Sequence, residues 1–226
     1  MLLFACTIFT SAFLLFLVQP IVAKLILPWF GGSAAVWTTC LVFFQVALLA
    51  GYAYSDFTTR KLAPRTQAFL HAALLAASLF VLPIVPDASW KPAGNEDPGL
   101  RILGLLVATI GLPYFLLATT GPLVQAWFAR AFPQGTVYRL FALSNLASML
   151  ALVSYPFAIE PWVTGLAQAQ AWSAGYALFA VLCAASATYG LRGGAAPAPA
   201  AASAADDHAP APSRMQVFLW LALSAL

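Results

Sequence analysis

Apolar residues in this chain run on for roughly twenty positions at a time instead of alternating with polar ones. A hydrocarbon layer about 30 Å thick needs about that many helical residues, and helices satisfy their own backbone hydrogen bonds where water is absent. Continuous runs therefore predict membrane helices, since barrel strands would alternate. The runs cover residues 1–23, 31–55, 66–86, 102–129, 140–159 and a stretch within 161–191. Lys24 closes the first and Asp56 the second. The pattern predicts an all-α, polytopic transmembrane bundle of six spans. A further run over 215–226 is too short to cross and reads as the truncated start of a seventh helix, so the sequence leads us to expect a fragment of a longer protein.

Lys and Arg positions set the expected orientation. With the N-terminus cytoplasmic, inside loops hold Arg60, Lys61, Arg65, Arg130, Arg139, Arg192 and Arg214, and outside loops hold Lys24, Lys91 and Arg101. Seven against three places the N-terminus inside. The acids Asp87, Glu96, Asp97 and Glu160 then face outward. Residues 193–213 are an Ala/Pro run without large apolar side chains, which cannot build a core and reads as a cytoplasmic linker. The expected organisation is thus a six-helix bundle over 1–192, a linker over 193–213 and the start of another helix over 214–226. His208 beside Asp206 and Asp207 belongs to that solvated linker rather than to a metal site.

Composition agrees with a lipid surrounding: 62% of residues are hydrophobic and 8% charged, against about 25% charged in soluble domains. The lipid bilayer is the first partner. The net charge of +3 is scattered, without the basic stripe that tracks phosphates, so nucleic acid is not expected. Cys6, Cys40 and Cys183 sit in apolar runs and read as buried free thiols. The chain lacks Gly-x-Gly-x-x-Gly, P-loop, His-Glu-x-x-His and Gly-x-Ser-x-Gly patterns, and no carboxylate pair shares a helix face inside a span. No catalytic residue, cofactor or metal site is expected, and the chain alone is not expected to be an enzyme.

The polar residues inside the spans are candidates for a cavity or for helix packing. Gln19 precedes Pro20, which frees a backbone carbonyl, and Lys24 follows one turn later, either reaching the outer interface or standing at a cavity mouth. Trp29 and Trp37 flank a Gly31-Gly32-Ser33 turn and suit an interfacial belt, with Ser33 as helix cap. Gln45 in the second span needs a hydrogen-bond partner. Ala47, Gly51 and Ser55 form a small-residue face for close helix approach. In the fourth span, Gly111, Pro113, Thr119, Thr120 and Pro122 predict a kinked or broken helix, and Asn145 is a buried polar candidate in the fifth. His71 reads as an interfacial residue of the third. A small-molecule solute bound among helices one, two, four and five would meet Gln19, Gln45, Asn145 and the Pro113 to Pro122 region.

Residues 16–54 resemble the opening membrane region of bacterial fused major-facilitator/spermidine-synthase proteins. The specific part is Pro-x-x-Gly-Gly-Ser-x-x-Val-Trp over 28–37, followed by Phe43-Phe44-Gln45 and Gly51-Tyr52. Weaker likeness continues through Gly111-Leu112-Pro113-Tyr114-Phe115 and Tyr138 to Asn145. The resemblance implies a multi-pass protein of the bacterial inner membrane, joined to a downstream cytoplasmic aminopropyltransferase-like domain. That domain's motifs are not in this sequence, so no activity transfers to any residue here. Six helices, a linker and a seventh start also resemble the major facilitator plan. Gly51, Asp56, Arg60 and Lys61 stand near its loop signature, with Thr59 in place of a glycine. A cationic polyamine path would call for acids within the spans, and none lies at mid-depth.

Overall fold

The computed structural model describes residues 1–92, 94, 97–133, 135–192 and 215, the side chain of Arg192 excepted, and all regular structure among them is helical. The expected linker, including Asp206, Asp207 and His208, and nearly all of 214–226 lie outside the described residues, as does Glu96. Residues Met1–Gly194 form one compact unit. We number its helices α1 (Leu2–Phe30), α2 (Ala34–Lys61), α3 (Pro64–Ser78), α4 (Pro98–Ala131), α5 (Tyr138–Ile159) and α6 (Gly165–Arg192). Five of them, all but α3, are long and apolar enough to cross a membrane.

The helix ends follow local chemistry. α1 runs seven residues past the apolar limit at Ala23, carrying Pro20 and Pro28 inside it, and stops at Gly31. Gly31 takes φ of 80°, a left-handed conformation that costs glycine little. Ser33 caps α2 as expected, its Oγ accepting from the Val36 N–H at 3.4 Å. α2 continues beyond Ser55 to Lys61, because its last turn stands in water and carries an Asp56–Arg60 pair at 2.6 Å.

Two expectations about the middle of the chain need correction. The third helix starts at Pro64 and its α-helical part ends at Ser78, followed by a 3₁₀ turn over Leu79–Val81. It does not reach residue 86, because Pro83 supplies no N–H and pushes Leu82 into extended geometry. The fourth helix begins earlier than expected, at Pro98, where the Asp97 carboxylate accepts from the Gly99 N–H at 2.7 Å. It is not broken. A π turn over Val107–Gly111 absorbs Pro113, and the hydroxyls of Thr119 and Thr120 bond back to the Leu116 carbonyl at 2.7 and 2.9 Å. α5 ends in a second π turn over Tyr155–Ile159, closed by the Glu160 N–H on the Tyr155 carbonyl at 2.7 Å.

α1 is the central element. It packs along α4, α5 and α6, burying Phe4, Ile8, Leu14, Val18, Ile21 and Ile26. α2 lies on α4 and scarcely touches α1 despite following it directly, and α3 sits on α6 and α4. Polar side chains join the helices across buried contacts. Thr7 meets Ser186 at 2.9 Å, Ser11 donates to the Leu117 carbonyl at 3.1 Å, and Trp172 donates to the Leu14 carbonyl at 2.9 Å. Ser78 meets the Tyr176 hydroxyl at 2.7 Å. Exposed large side chains such as Val42, Val46, Leu49, Phe80, Phe157 and Val181 coat the outside.

The charges sort to two ends. Arg130 bonds to Gln67, which in turn bonds to Thr58 and Thr59, next to Arg60 and Lys61, so these residues share one arginine-rich end. At the other end Lys24 meets Glu160, Lys91 stands 5.5 Å over the Trp29 ring, and Arg101 donates to the Ser89 and Trp90 carbonyls. The small-residue face of α2 performs its expected packing. A Cβ on Gly51 would lie 2.7 Å from that of Ala118 and 3.1 Å from the Phe115 carbonyl oxygen, while Ser55 donates to the Thr119 carbonyl at 3.1 Å. Gly51→Val should therefore push α2 off α4 and destabilise the bundle by about 1–3 kcal/mol. Gly32→Ala, where a Cβ meets nothing within 4 Å, serves as control. Thermal unfolding in detergent reads the difference, and equal midpoints for the two variants would count against this packing.

Candidate functional site

The loose fit between α1 and α2 opens a groove that α5 walls on its far side. Its widest part, about 820 Å³, lies at the end opposite the arginines, between Gln19, Pro20, Lys24 and Pro28 of α1, Trp37, Cys40 and Phe44 of α2, and Tyr155 and Glu160 of the α5 end. A middle cavity of about 190 Å³ shares Gln19, Leu41 and Phe44 with it and adds Gln45, Tyr52 and Tyr114. An inner cavity of about 270 Å³ shares Leu15, Phe16 and Tyr52 with the middle one, and adds Ser11, Ser144, Asn145 and Ser148. The three follow α1 from Ile8 to Pro28, a rise of about 30 Å, which matches the thickness of a hydrocarbon core.

The walls are mainly apolar, with polar groups at intervals. At the mouth, Lys24 Nζ donates to Glu160 Oε1 at 2.8 Å and approaches the Glu160 backbone oxygen at 3.5 Å. Pro20 lies one turn before Lys24, and its carbonyl accepts from the Tyr155 hydroxyl at 3.4 Å. Because Pro20 brings no N–H, the Phe16 carbonyl also loses its helical donor beside the middle and inner cavities. Deeper in, Gln19 Nε2 donates to the Tyr114 hydroxyl at 3.4 Å, and the Tyr114 ring rests 4.9 Å from that of Phe44. Gln45 and Asn145 are both exposed toward the groove, and neither has a hydrogen-bond partner among the described residues. Gln45 thus lacks the helix-to-helix bond that its place in a span called for. Asn145 is not buried, because α5 turns that face to the cavity.

The groove gathers four of the residues singled out from sequence: Gln19, Lys24, Gln45 and Asn145. It does not gather the others. Thr119 and Thr120 are fully buried, Pro113 is buried, and Pro122 is exposed, with none of them lining the three cavities. The α4 residues that do face the groove are Tyr114, Leu117, Ala118 and Gly121. Tyr52, Tyr155, Ser144 and Ser148 complete it. Aromatic hydroxyls within apolar runs were the sequence signal for Tyr52 and Tyr155, but such residues also populate ordinary interfacial belts.

A separate, fourth cavity of about 410 Å³ lies across α1, against α6, with Phe9, Phe13, Leu17 and Trp172 among its walls. No charged side chain among the described residues lines it. A buried polar cluster sits at the arginine-rich end, built around Gln67. Its Oε1 accepts from Trp127 Nε1 at 3.1 Å and from Arg130 at 3.2 Å, and its Nε2 donates to Thr58 and Thr59. His71, expected at the interface, is instead 0% exposed. It lies 3.6 Å from Cys183 Sγ with the Trp127 ring edge-on at 5.7 Å. The α3 register places it one turn after Gln67, facing α4 and α6. Cys40 and Cys183 are buried as free thiols, whereas Cys6 is exposed and departs from that expectation. Among the described residues no three His, Cys, Asp or Glu side chains converge as a metal site would require.

Comparison with protein-family models, curated proteins and solved structures returned no match for this chain.

The Gln67 cluster reads as a structural lock between α2, α3 and α4. Gln67→Leu should strand the Trp127 and Arg130 donors and lower stability by about 1–3 kcal/mol per group left unpaired. Gln45→Leu, which strands nothing, should leave the unfolding midpoint nearly unchanged. Denaturation of both variants in the same detergent checks this, and a Gln67→Leu protein as stable as the parent would contradict it.

Proposed function

We propose that this chain is the membrane-embedded region of a spermidine-synthase-like fusion protein, and that its six-helix unit binds a small solute in the groove between α1, α2 and α5. It anchors an aminopropyltransferase-like domain encoded downstream, with the arginine-rich end in the cytoplasm of a bacterial inner membrane. α3 completes the set of six: its helix and the following 3₁₀ turn rise about 28 Å, close to the hydrocarbon thickness. The resemblance over 28–37 supports the fusion reading, and Trp37 from that motif lines the groove mouth.

One observation carries the solute-binding half of this reading: three cavities with shared walls follow α1 for a membrane's thickness, with Lys24, Gln19, Gln45 and Asn145 spaced along them. Helices packed only for anchoring would close such a space, since lipid-facing helices gain nothing by leaving polar side chains unpaired. The same groove favours a second reading, in which the chain is a stand-alone transporter half that pairs with another unit.

Accessibility tests the groove directly. In a chain with its three cysteines replaced by serine, Gln45→Cys should react with a water-soluble thiosulfonate reagent. Val46→Cys, which is 60% exposed but lines none of the three cavities, should stay inert because a thiolate does not form in hydrocarbon. Equal silence at both positions would remove the groove from the account. A downstream reading frame without a soluble α/β domain would remove the fusion.

A further inference from the structure

The chemistry of the groove mouth narrows what fits there. Its walls offer about 820 Å³ of mostly apolar space and one pair of opposite charges, Lys24 and Glu160. Among the described residues no other Lys, Arg, Asp or Glu lines any of the three cavities. The pair is neutral as a unit, so a ligand carrying a single charge would meet one attractive and one repulsive partner there. A wholly apolar ligand would leave the pair's remaining bonding capacity unused.

That capacity is specific. Lys24 Nζ spends its hydrogen bonds on Glu160 Oε1 and the Glu160 backbone oxygen, which leaves one N–H of the ammonium unspent. Glu160 Oε2 accepts nothing from the described residues. The two side chains are 35% and 46% exposed, so both free valences are within reach of an incoming group. A ligand head with an anionic and a cationic group side by side would close a ring of four alternating charges, each neutralised by two neighbours. Its apolar part would then lie against Phe44, Trp37 and Tyr155.

We infer that the groove mouth takes a zwitterionic amphiphile, its anionic group on Lys24 and its cationic group on Glu160, with its apolar portion in the groove. The inference rests on the solute-binding reading above and names the class of ligand. A free amino-acid-like zwitterion and a zwitterionic lipid head group share this chemistry.

Three probes built on the same phenylethyl skeleton separate the charges: phenylalanine, phenethylamine and 3-phenylpropionate. Titrated calorimetrically into the full chain in nanodiscs of anionic phosphatidylglycerol, phenylalanine should bind at least about tenfold more tightly than either singly charged probe. Glu160→Gln should bring phenylalanine down to the level of 3-phenylpropionate, and Lys24→Gln should bring it down to phenethylamine. The double exchange Lys24→Glu with Glu160→Lys rebuilds the pair and should restore the preference, which separates charge matching from misfolding. Repetition in phosphatidylethanolamine discs identifies the source. Unchanged binding assigns a soluble zwitterion, and binding lost there assigns the lipid head group. Equal affinity for the three probes, preference for a singly charged one, or no binding in phosphatidylglycerol discs would overturn the inference. A preference for one charge would still leave a solute-binding groove, whereas an unreactive Gln45→Cys removes the groove itself.

Discussion

Hydrocarbon supplies no hydrogen-bond partners, and that single deprivation organises this molecule. Each buried hydroxyl on α1 finds an acceptor across a helix contact: Thr7 with Ser186, Ser11 with the Leu117 carbonyl. Trp172 and Tyr176 of α6 do the same toward α1 and α3. Individually such bonds contribute only about 0.6 kcal/mol on average, reaching about 1.7. Their collective effect is to fix rotation: a helix turned by one residue, about 100°, would break these bonds. The close seat of Gly51 on Ala118 works in the same direction through shape. α1 therefore has little freedom to rotate, and the one flank where it lacks a tight neighbour becomes the groove.

Much of this was legible in the sequence, for physical reasons. Run length and the absence of alternation identified helices, since the hydrocarbon thickness fixes both. The small residues of α2 announced close packing because steric size needs no tertiary context. Helix ends were read less well. Hydropathy marks where lipid stops, but a helix continues while its own hydrogen bonds and end charges allow, as α2 does to Lys61. Pro113 and Pro122 suggested interruption, yet the π turn and the threonine hydroxyls keep α4 continuous.

The groove was half-visible. Gln19, Lys24, Gln45 and Asn145 stand out in a sequence because polar groups in apolar runs are costly, so each demands an account. Thr119 and Thr120 stand out for the same reason and yet serve their own helix. Sequence cannot separate the two outcomes, because a hydroxyl reaches its own backbone and an amide on these helices mostly does not. His71 shows the converse failure. A histidine near a helix start looks interfacial, but its rotation about α3 brings it beneath Trp127 and beside Cys183.

The π turn that ends α5 has a consequence for evolution by insertion and deletion. Its wide ring, closed by the Glu160 N–H on the Tyr155 carbonyl, holds one residue more than an α turn would. Losing a single residue between them would narrow the ring to an α turn closed by the same two groups, and because five π steps and four α steps turn through nearly the same angle, the carboxylate would stay on the Lys24 side. Losing a second residue would leave no wide ring to take up the change and would swing the carboxylate about 100° away from Lys24. The lineage of this protein is thus expected to tolerate the loss of one residue over 156–159 but not of two.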